Sequence, residues 1–341
     1  MDILVLPASG VRAVLTYSRC ADAMRAALIA RARGEVFQPL RSILRPEGAA
    51  GLMALMPTYQ PGKEAGFGLK AICVMPGNPA AGLDSHQGIV LLSSQETGQP
   101  LAVLNASAVT EIRTAATSAV ATQALARPDA DVLAIIGTGV QARSHLKAIA
   151  AIRPLAEIRI AGSSPGRSAA LTAQAPDLLA ELGTDLAGTT PAIAACDSAR
   201  EAVAGAGIVV TATSSAVPVL RREWLAPGAH INAVGACLPQ ARELDTATVT
   251  DAAFFCDSRE SVLAESGDYR LAAEEGAIGP GHIRAEVGDL LARLAPEHGR
   301  RDDEEITVFE SLGLAVEDLA AAAVAYRAAR ESGEGFRIDF G

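Results

Sequence analysis

A short apolar run, Val132-Leu133-Ala134-Ile135-Ile136, ends in Gly137-Thr138-Gly139-Val140-Gln141-Ala142, and a helix-compatible segment follows from Arg143 to Ile152. Glycine at 137 permits a tight turn, glycine at 139 lets backbone approach a ligand, and the small Ala142 lets a helix lie closely on the strand. The exposed N–H groups and dipole of such a helix start attract anions, so the chemistry that this spacing suits is the binding of a pyrophosphate. Two further stretches, Gly207–Thr213 and Ala229–Gly235, read as buried parallel strands and end in small or hydroxyl residues. They add Thr211, Ala212 and Thr213 to the candidate cofactor contacts Gly137, Thr138, Gly139, Val140 and Gln141. The pattern points to a dinucleotide, and with a nicotinamide dinucleotide comes hydride transfer.

Lys70 stands in an otherwise apolar strand-like stretch, Gly68-Leu69-Lys70-Ala71-Ile72-Cys73-Val74-Met75. Alternation leaves it on one face with Ile72, where an ammonium is expensive unless it is paired or its pKa falls. Ser163 and Ser164 follow the second strand of the nucleotide section, Glu157–Ala161, where an NAD-specific enzyme usually places an acid for the ribose hydroxyls. Here that acid is missing. Two hydroxyls and Arg167 stand instead, a set able to receive a 2′-phosphate, so NADP(H) is favoured over NAD(H).

These residues need a scaffold of two kinds. The stretch 114–301 alternates apolar strands with helical segments, a βαβ pattern that predicts a parallel, Rossmann-type sheet. Before it, residues 1–113 carry one helical segment, Cys20–Arg33, and four strand-like stretches, Arg41–Leu44, Gly51–Met56, Leu69–Met75 and Gly88–Leu92, joined by Pro- and Gly-bearing turns. That is an α+β pattern. A helix is expected over Ala115–Ala126, leading into the nucleotide section. Past the acidic loop at 300–305, Ile306–Phe309 reads as a strand and Val316–Ala329 as a long helix, both returning to the first domain. The expected division is therefore 1–113 with 302–341, and 114–301.

The chain resembles the ornithine cyclodeaminase/μ-crystallin superfamily over nearly its whole length. The matching pieces are Gly68-Leu69-Lys70 with Pro76-Gly77-Asn78, Glu111-Ile112-Arg113-Thr114-Ala115-Ala116, the Gly137 turn, Gly235-Ala236-Cys237-Leu238-Pro239 with Glu243-Leu244-Asp245, and Phe309-Glu310-Ser311-Leu312-Gly313. The resemblance implies an α/β fold in which a Rossmann domain is inserted into an α+β substrate and dimerisation domain, and a homodimer. It implies that Arg113 holds a substrate carboxylate, for which a planar guanidinium is suited, with Arg41 as a second contact. Lys70 is implied to lie beside substrate and nicotinamide, Thr114 to meet the pyrophosphate, and Met56 and Cys237 to line the substrate pocket.

Departures from the family pattern separate its activities. Cyclodeaminases carry an aspartate at the position held here by Cys237, and a glutamate just before the Met-Pro pair, where this chain has Leu55 before Met56-Pro57. Loss of both carboxylates disfavours a diamino substrate. The resemblance then implies a ketimine reductase, with NAD(P)H-dependent reduction of Δ1-pyrroline-2-carboxylate or Δ1-piperideine-2-carboxylate to L-proline or L-pipecolate. The alternatives are an alanine-type amino-acid dehydrogenase, a cyclodeaminase, and a non-catalytic NADPH-binding, crystallin-like protein.

Composition narrows the rest. With 341 residues, 50% of them hydrophobic and 4% aromatic, the chain can build two domains from aliphatic packing. A formal charge of -10 leaves no basic stripe for nucleic acid. The five cysteines, Cys20, Cys73, Cys196, Cys237 and Cys256, are scattered, and the five histidines are isolated, so neither a metal site nor a disulfide framework is expected. His145, early in the phosphate-side helix, is expected at the helix surface. The stretch Met1–Pro7 lacks a signal-like pattern and no 18-residue uncharged apolar run occurs, so a cytoplasmic location away from membranes is expected.

Overall fold

The computed structural model describes residues 2–62 and 65–341, so Met1 of the amino-terminal stretch lies outside the described residues. In chain order the elements are β1 (Asp2–Leu6), α1 (Ala8–Val14), α2 (Tyr17–Ala32), β2 (Ser42–Leu44), β3 (Leu52–Tyr59), β4 (Ala65–Val74), β5 (His86–Ser94), β6 (Pro100–Asn105) and α3 (Ala106–Leu125). There follow β7 (Val132–Ile136), α4 (Val140–Ile152), β8 (Glu157–Ala161), α5 (Pro165–Ala180), β9 (Ala192–Cys196), α6 (Ala199–Val203), β10 (Ile208–Thr211) and β11 (His230–Ala233). The chain closes with α7 (Thr246–Asp251), β12 (Ala253–Cys256), α8 (Arg259–Glu265), α9 (Gly267–Glu274), β13 (Ile283–Glu286), α10 (Val287–Leu291), β14 (Thr307–Glu310), α11 (Ala315–Ser332) and β15 (Phe336–Asp339). Short 3₁₀ turns join some of these.

The chain divides into two compact units, 1–113 with 313–341, and 114–312. The first is built on a seven-stranded sheet in the order β15-β1-β6-β5-β4-β3-β2, antiparallel except for the β1/β6 pair. Strict alternation in β3, buried at Leu52, Ala54, Met56 and Thr58, gives this sheet one covered face. Helix α11 covers it: the space a Cβ would take on Gly68 is filled by Leu319. On the opposite face Met53, Leu55, Phe67 and Ile89 are exposed.

The second unit is an eight-stranded, wholly parallel sheet in the order β13-β12-β14-β11-β10-β7-β8-β9. Strands β7 and β10 read as near-continuous apolar runs because both their faces are buried, and β11, equally buried, carries His230 and Asn232 among its apolar residues. Within the order, β9-β8-β7-β10-β11 is the doubly wound arrangement, and its direction reverses between β7 and β10.

Several sequence expectations need correction. The carboxyl-terminal boundary lies at 312/313 rather than 301/302, because β14 pairs in parallel with both β11 and β12 and so belongs to the second unit. The acidic loop stays there as well: Arg300 donates to Leu125 O at 2.6 Å and to Gly228 O at 3.1 Å. Helix α3 begins nine positions before the expected Ala115, since Asn105 Oδ1 accepts the Ala108 N–H at 2.9 Å and caps it. Arg113 is thus inside a helix rather than ahead of one. Strands β1, β6, β9, β12, β13 and β15 are further elements that the sequence pattern left unassigned. Among the described residues no helix is long and apolar enough to cross a membrane.

Candidate active site

In the first unit, three cations gather around the start of α11. Lys70 is on the covered face of β4, in register with Met56 of β3 and Val90 of β5, so these three form one buried row. Its Nζ lies 2.7 Å from Asp318 Oδ2, and both side chains are about as buried as a core leucine, at 2% and 1% exposure. Arg113, in α3, donates from Nε to Asp318 Oδ1 and from Nη1 to Glu317 Oε2, each at 2.9 Å. Arg41 donates from Nη2 to Gly313 O at 3.2 Å. Gly313 has φ +82° and no room for a side chain, because a Cβ would stand 2.4 Å from Arg113 Nη1. Both guanidinium groups therefore meet at the same backbone turn.

Burial pushes the Lys70 ammonium down to a pKa of about 8; Asp318 opposes the shift, and Arg113 and Arg41 add to it. A lysine in that range exchanges a proton near neutral pH, as an acid or base beside an imine nitrogen must. Neither Glu317 nor Asp318 was marked by the sequence pattern. The available signal was two adjacent acids in the otherwise apolar start of a buried, alanine-rich helix, both of which are almost fully covered. Glu317 Oε2 also accepts the Leu314 N–H at 3.2 Å, which ties the guanidinium partner to the first turn of α11.

In the second unit, the turn after β7 has the form that a pyrophosphate needs. Gly137 adopts φ +128°, and a Cβ there would collide with Ala212 O at 2.4 Å. Open space surrounds the position of a Cβ on Gly139, which is the N-cap of α4, and no side chain caps that helix start. Thr114 Oγ1 is buried with no hydrogen-bond partner. An anion-seeking helix start and an orphaned hydroxyl fit a bound dinucleotide. Val140 is half exposed, Gln141 and Thr138 are partly buried, and Thr211 to Thr213 close the end of β10.

Beyond the turn, Thr138, Arg143, Arg167, Ala170 and Leu171 line a pocket. Ser163 and Ser164 are exposed after β8, and Ser164 is the N-cap of α5 without making a side-chain cap bond. Arg143 was not among the residues expected at the 2′-phosphate. Its spacing of four from Gly139 places it on the first turn of α4, and two arginines, rather than Arg167 alone, therefore face this pocket.

Cys237, half buried in the second unit, donates from Sγ to Val234 O at 3.1 Å. Leu55 faces the exposed side of β3, opposite Met56 and Lys70, so an acid at that position would not share their face. His145 is not at the helix surface but completely buried, its Nδ1 at 2.7 Å from Gln141 O and Nε2 at 2.9 Å from Ser118 Oγ. Burial lowers its pKa to about 4, so it is neutral and joins α4 to α3. Among the described residues no group of His, Cys, Asp and Glu could hold a metal ion.

The model of the ornithine cyclodeaminase/mu-crystallin family matches residues 1–333. The chain is 37% identical over 294 residues to the ketimine reductase mu-crystallin of Mus musculus, covering 86% of this chain and 85% of that protein. Its fold matches the Thermococcus litoralis Δ1-pyrroline-2-carboxylate reductase in complex with NADH and L-proline with a TM-score of 0.91, at 34% identity and over 98% and 100% of the two chains. An archaeal alanine dehydrogenase dimer with bound NAD matches with a TM-score of 0.88, at 31% identity over the full length of both.

Proposed function

Because the chain belongs to the ornithine cyclodeaminase/mu-crystallin family, we propose that it reduces a cyclic Δ1-imino-2-carboxylate of five or six ring members to the corresponding L-imino acid, proline or pipecolate. The observation that carries this reading is the buried cationic cluster. Arg41, Lys70 and Arg113 stand with the carboxylates Glu317 and Asp318, a grouping of cations suited to a substrate carboxylate. Where cyclodeaminases carry an acid for a second amine, this chain has Cys237.

When bound, a reduced nicotinamide supplies the hydride. Arg113, its plane fixed by Glu317 and Asp318, holds the substrate carboxylate, and Arg41 adds a second cation. Lys70, held at Asp318, controls the proton on the ring nitrogen. Met56 in the next strand contributes apolar surface beside Lys70. Gly137, Thr138, Gly139, Val140, Gln141 and Thr114 would hold the pyrophosphate, with Thr211, Ala212 and Thr213 beside them. Of the two dinucleotides NADP(H) is preferred, supported by the missing acid after β8 and by Arg143 and Arg167 at one pocket.

The exposed apolar row Met53, Leu55, Phe67 and Ile89 supports a homodimer formed through the open face of the first unit's sheet. Oxidation of NADPH and NADH, followed by absorbance with Δ1-pyrroline-2-carboxylate, Δ1-piperideine-2-carboxylate, or pyruvate plus ammonia, tests the reading. Turnover of a cyclic imine supports it. Turnover of pyruvate and ammonia alone replaces it with an amino-acid dehydrogenase.

A further inference from the structure

In the second unit, hydrogen bonding continues past the ends of the central strands. Gly137 N–H donates to Ala161 O at 2.8 Å, Ala212 N–H to Ile136 O at 2.8 Å, and Val234 N–H to Thr211 O at 3.0 Å. The turns are tightly packed as well, since a Cβ on Gly235 would stand 2.1 Å from Thr213 O. This edge, at the carboxyl ends of the strands and beside the reversal in strand order, is where open parallel sheets bind their ligands.

Glu243 reaches into it from the segment before α7 and has no exposure to solvent. Its Oε1 accepts the Thr213 N–H at 2.6 Å, and its Oε2 accepts the Gly235 N–H at 2.7 Å and the Thr211 hydroxyl at 2.9 Å. The Glu243 backbone is held in turn, because its N–H and that of Leu244 donate to Asp268 Oδ1 at 2.8 and 2.9 Å. A buried carboxylate is costly, and three converging donors offset that cost.

We propose that Glu243 is a positioning residue: its carboxylate fastens the turn after β10 to the turn after β11, and so sets where Thr211 to Thr213 stand relative to the segment Gly235 to Pro239. The inference rests on the proposed function only for which ligands those two turns touch. Donor geometry requires a carboxylate. An amide in its place presents an NH₂ to one side of the junction, and although the Thr211 hydroxyl can rotate to accept, the Gly235 N–H cannot. Burial raises the Glu243 carboxyl above the usual carboxylate range, while its hydrogen bonds hold it back.

Glu243→Gln tests the role, with NADH dissociation measured by nicotinamide fluorescence, kcat and KM measured per folded molecule, and folding followed by thermal melting. The expected result is a folded protein with weaker NADH binding and a kcat lowered by about 100-fold, the order of loss that a small misplacement of reactants produces. Where Glu243→Gln yields no folded protein, Glu243→Asp, which keeps the charge and shortens the reach, is measured in the same way. A folded variant with the wild-type NADH affinity, kcat and KM overturns the proposal. If the wild type turns over none of the imino acids, the proposed function falls, and NADH dissociation by itself decides the role of Glu243.

Discussion

One carboxylate serves both of the buried cations of the first unit: Asp318 Oδ2 lies 2.7 Å from Lys70 Nζ, and Asp318 Oδ1 accepts from Arg113 Nε at 2.9 Å. The two cations are therefore coupled through a third residue on α11, one turn past the Gly313 bend where Arg41 also binds. Removing one member of a buried pair leaves an uncompensated charge, at a cost of about 3–5 kcal/mol. In the proposed reaction Asp318 does more than stabilise, because it sets the proton affinity of Lys70.

The pH dependence follows from that link. Lys70 has a pKa of about 8, and if its ammonium delivers the proton to the ring nitrogen, kcat/KM falls as pH rises through that value. Asp318 pulls the Lys70 pKa upward, so Asp318→Asn moves the alkaline limb to lower pH. Profiles of wild type and variant with the same imine cancel the titration of the substrate itself. An unmoved limb removes Lys70 as the group responsible.

Lys70→Ala separates chemistry from binding. Loss of a general acid typically lowers turnover by about 10²- to 10⁴-fold, and the proposed dinucleotide contacts are on α4 and the turns of the second unit rather than on β4. We expect turnover of the imine to fall by that order while NADH dissociation, read by fluorescence, stays near the wild-type value. An active Lys70→Ala enzyme ends the proposed role.

The nucleotide-side elements were legible because their signals are local. Gly137 and Gly139 end a buried strand that is apolar on both faces, and such a run is readable without a partner. Lys70 was legible for a related reason, as a charge in an apolar strand, whereas Arg113 was marked only by the family resemblance. Their partners were not, since Glu317 and Asp318 lie far along the chain and no local pattern links them. The edge strands β1 and β15 are short and partly exposed, which leaves them without a clear alternation. Strand β14 was visible as a strand, but its sheet was not, because membership depends on pairing with β11 and β12. Asn105, by contrast, is a cap signal readable from its type and place ahead of the helix.

The pocket lined by Arg143 and Arg167 predicts a split between the two dinucleotides. A hydrogen bond to a charged group contributes about 1.5–3 kcal/mol, so Arg143→Ala and Arg167→Ala each raise the KM for NADPH by roughly 10- to 100-fold and leave that for NADH nearly unchanged. Equal effects on both dinucleotides would show that the arginines do not meet a 2′-phosphate.

The second unit also carries a buried acid cluster whose titration bears on stability. Asp268 is pushed up to about pKa 7, by burial first and then by Glu243. Glu310 is raised well above the carboxylate range, by burial and then by Asp268. Asp268 Oδ2 and Glu310 Oε2 are both buried without a hydrogen-bond partner, while Glu310 Oε1 accepts the Ser266 hydroxyl at 2.5 Å. Protonation relieves the repulsion. Both groups bind protons more tightly in the folded state than in the unfolded chain, where carboxyl pKa values are near 4. Their contribution is fully present below that unfolded value and is lost as pH rises through the folded one, so stability falls with pH, for Asp268 between about 4 and 7. The melting temperature of the wild type is expected to decline as the buffer is raised across this window. Glu310→Gln, which removes one of the mutually repelling charges and keeps an acceptor for Ser266, is expected to flatten the decline. A Glu310→Gln protein with the full wild-type slope would show that these acids titrate as ordinary carboxylates.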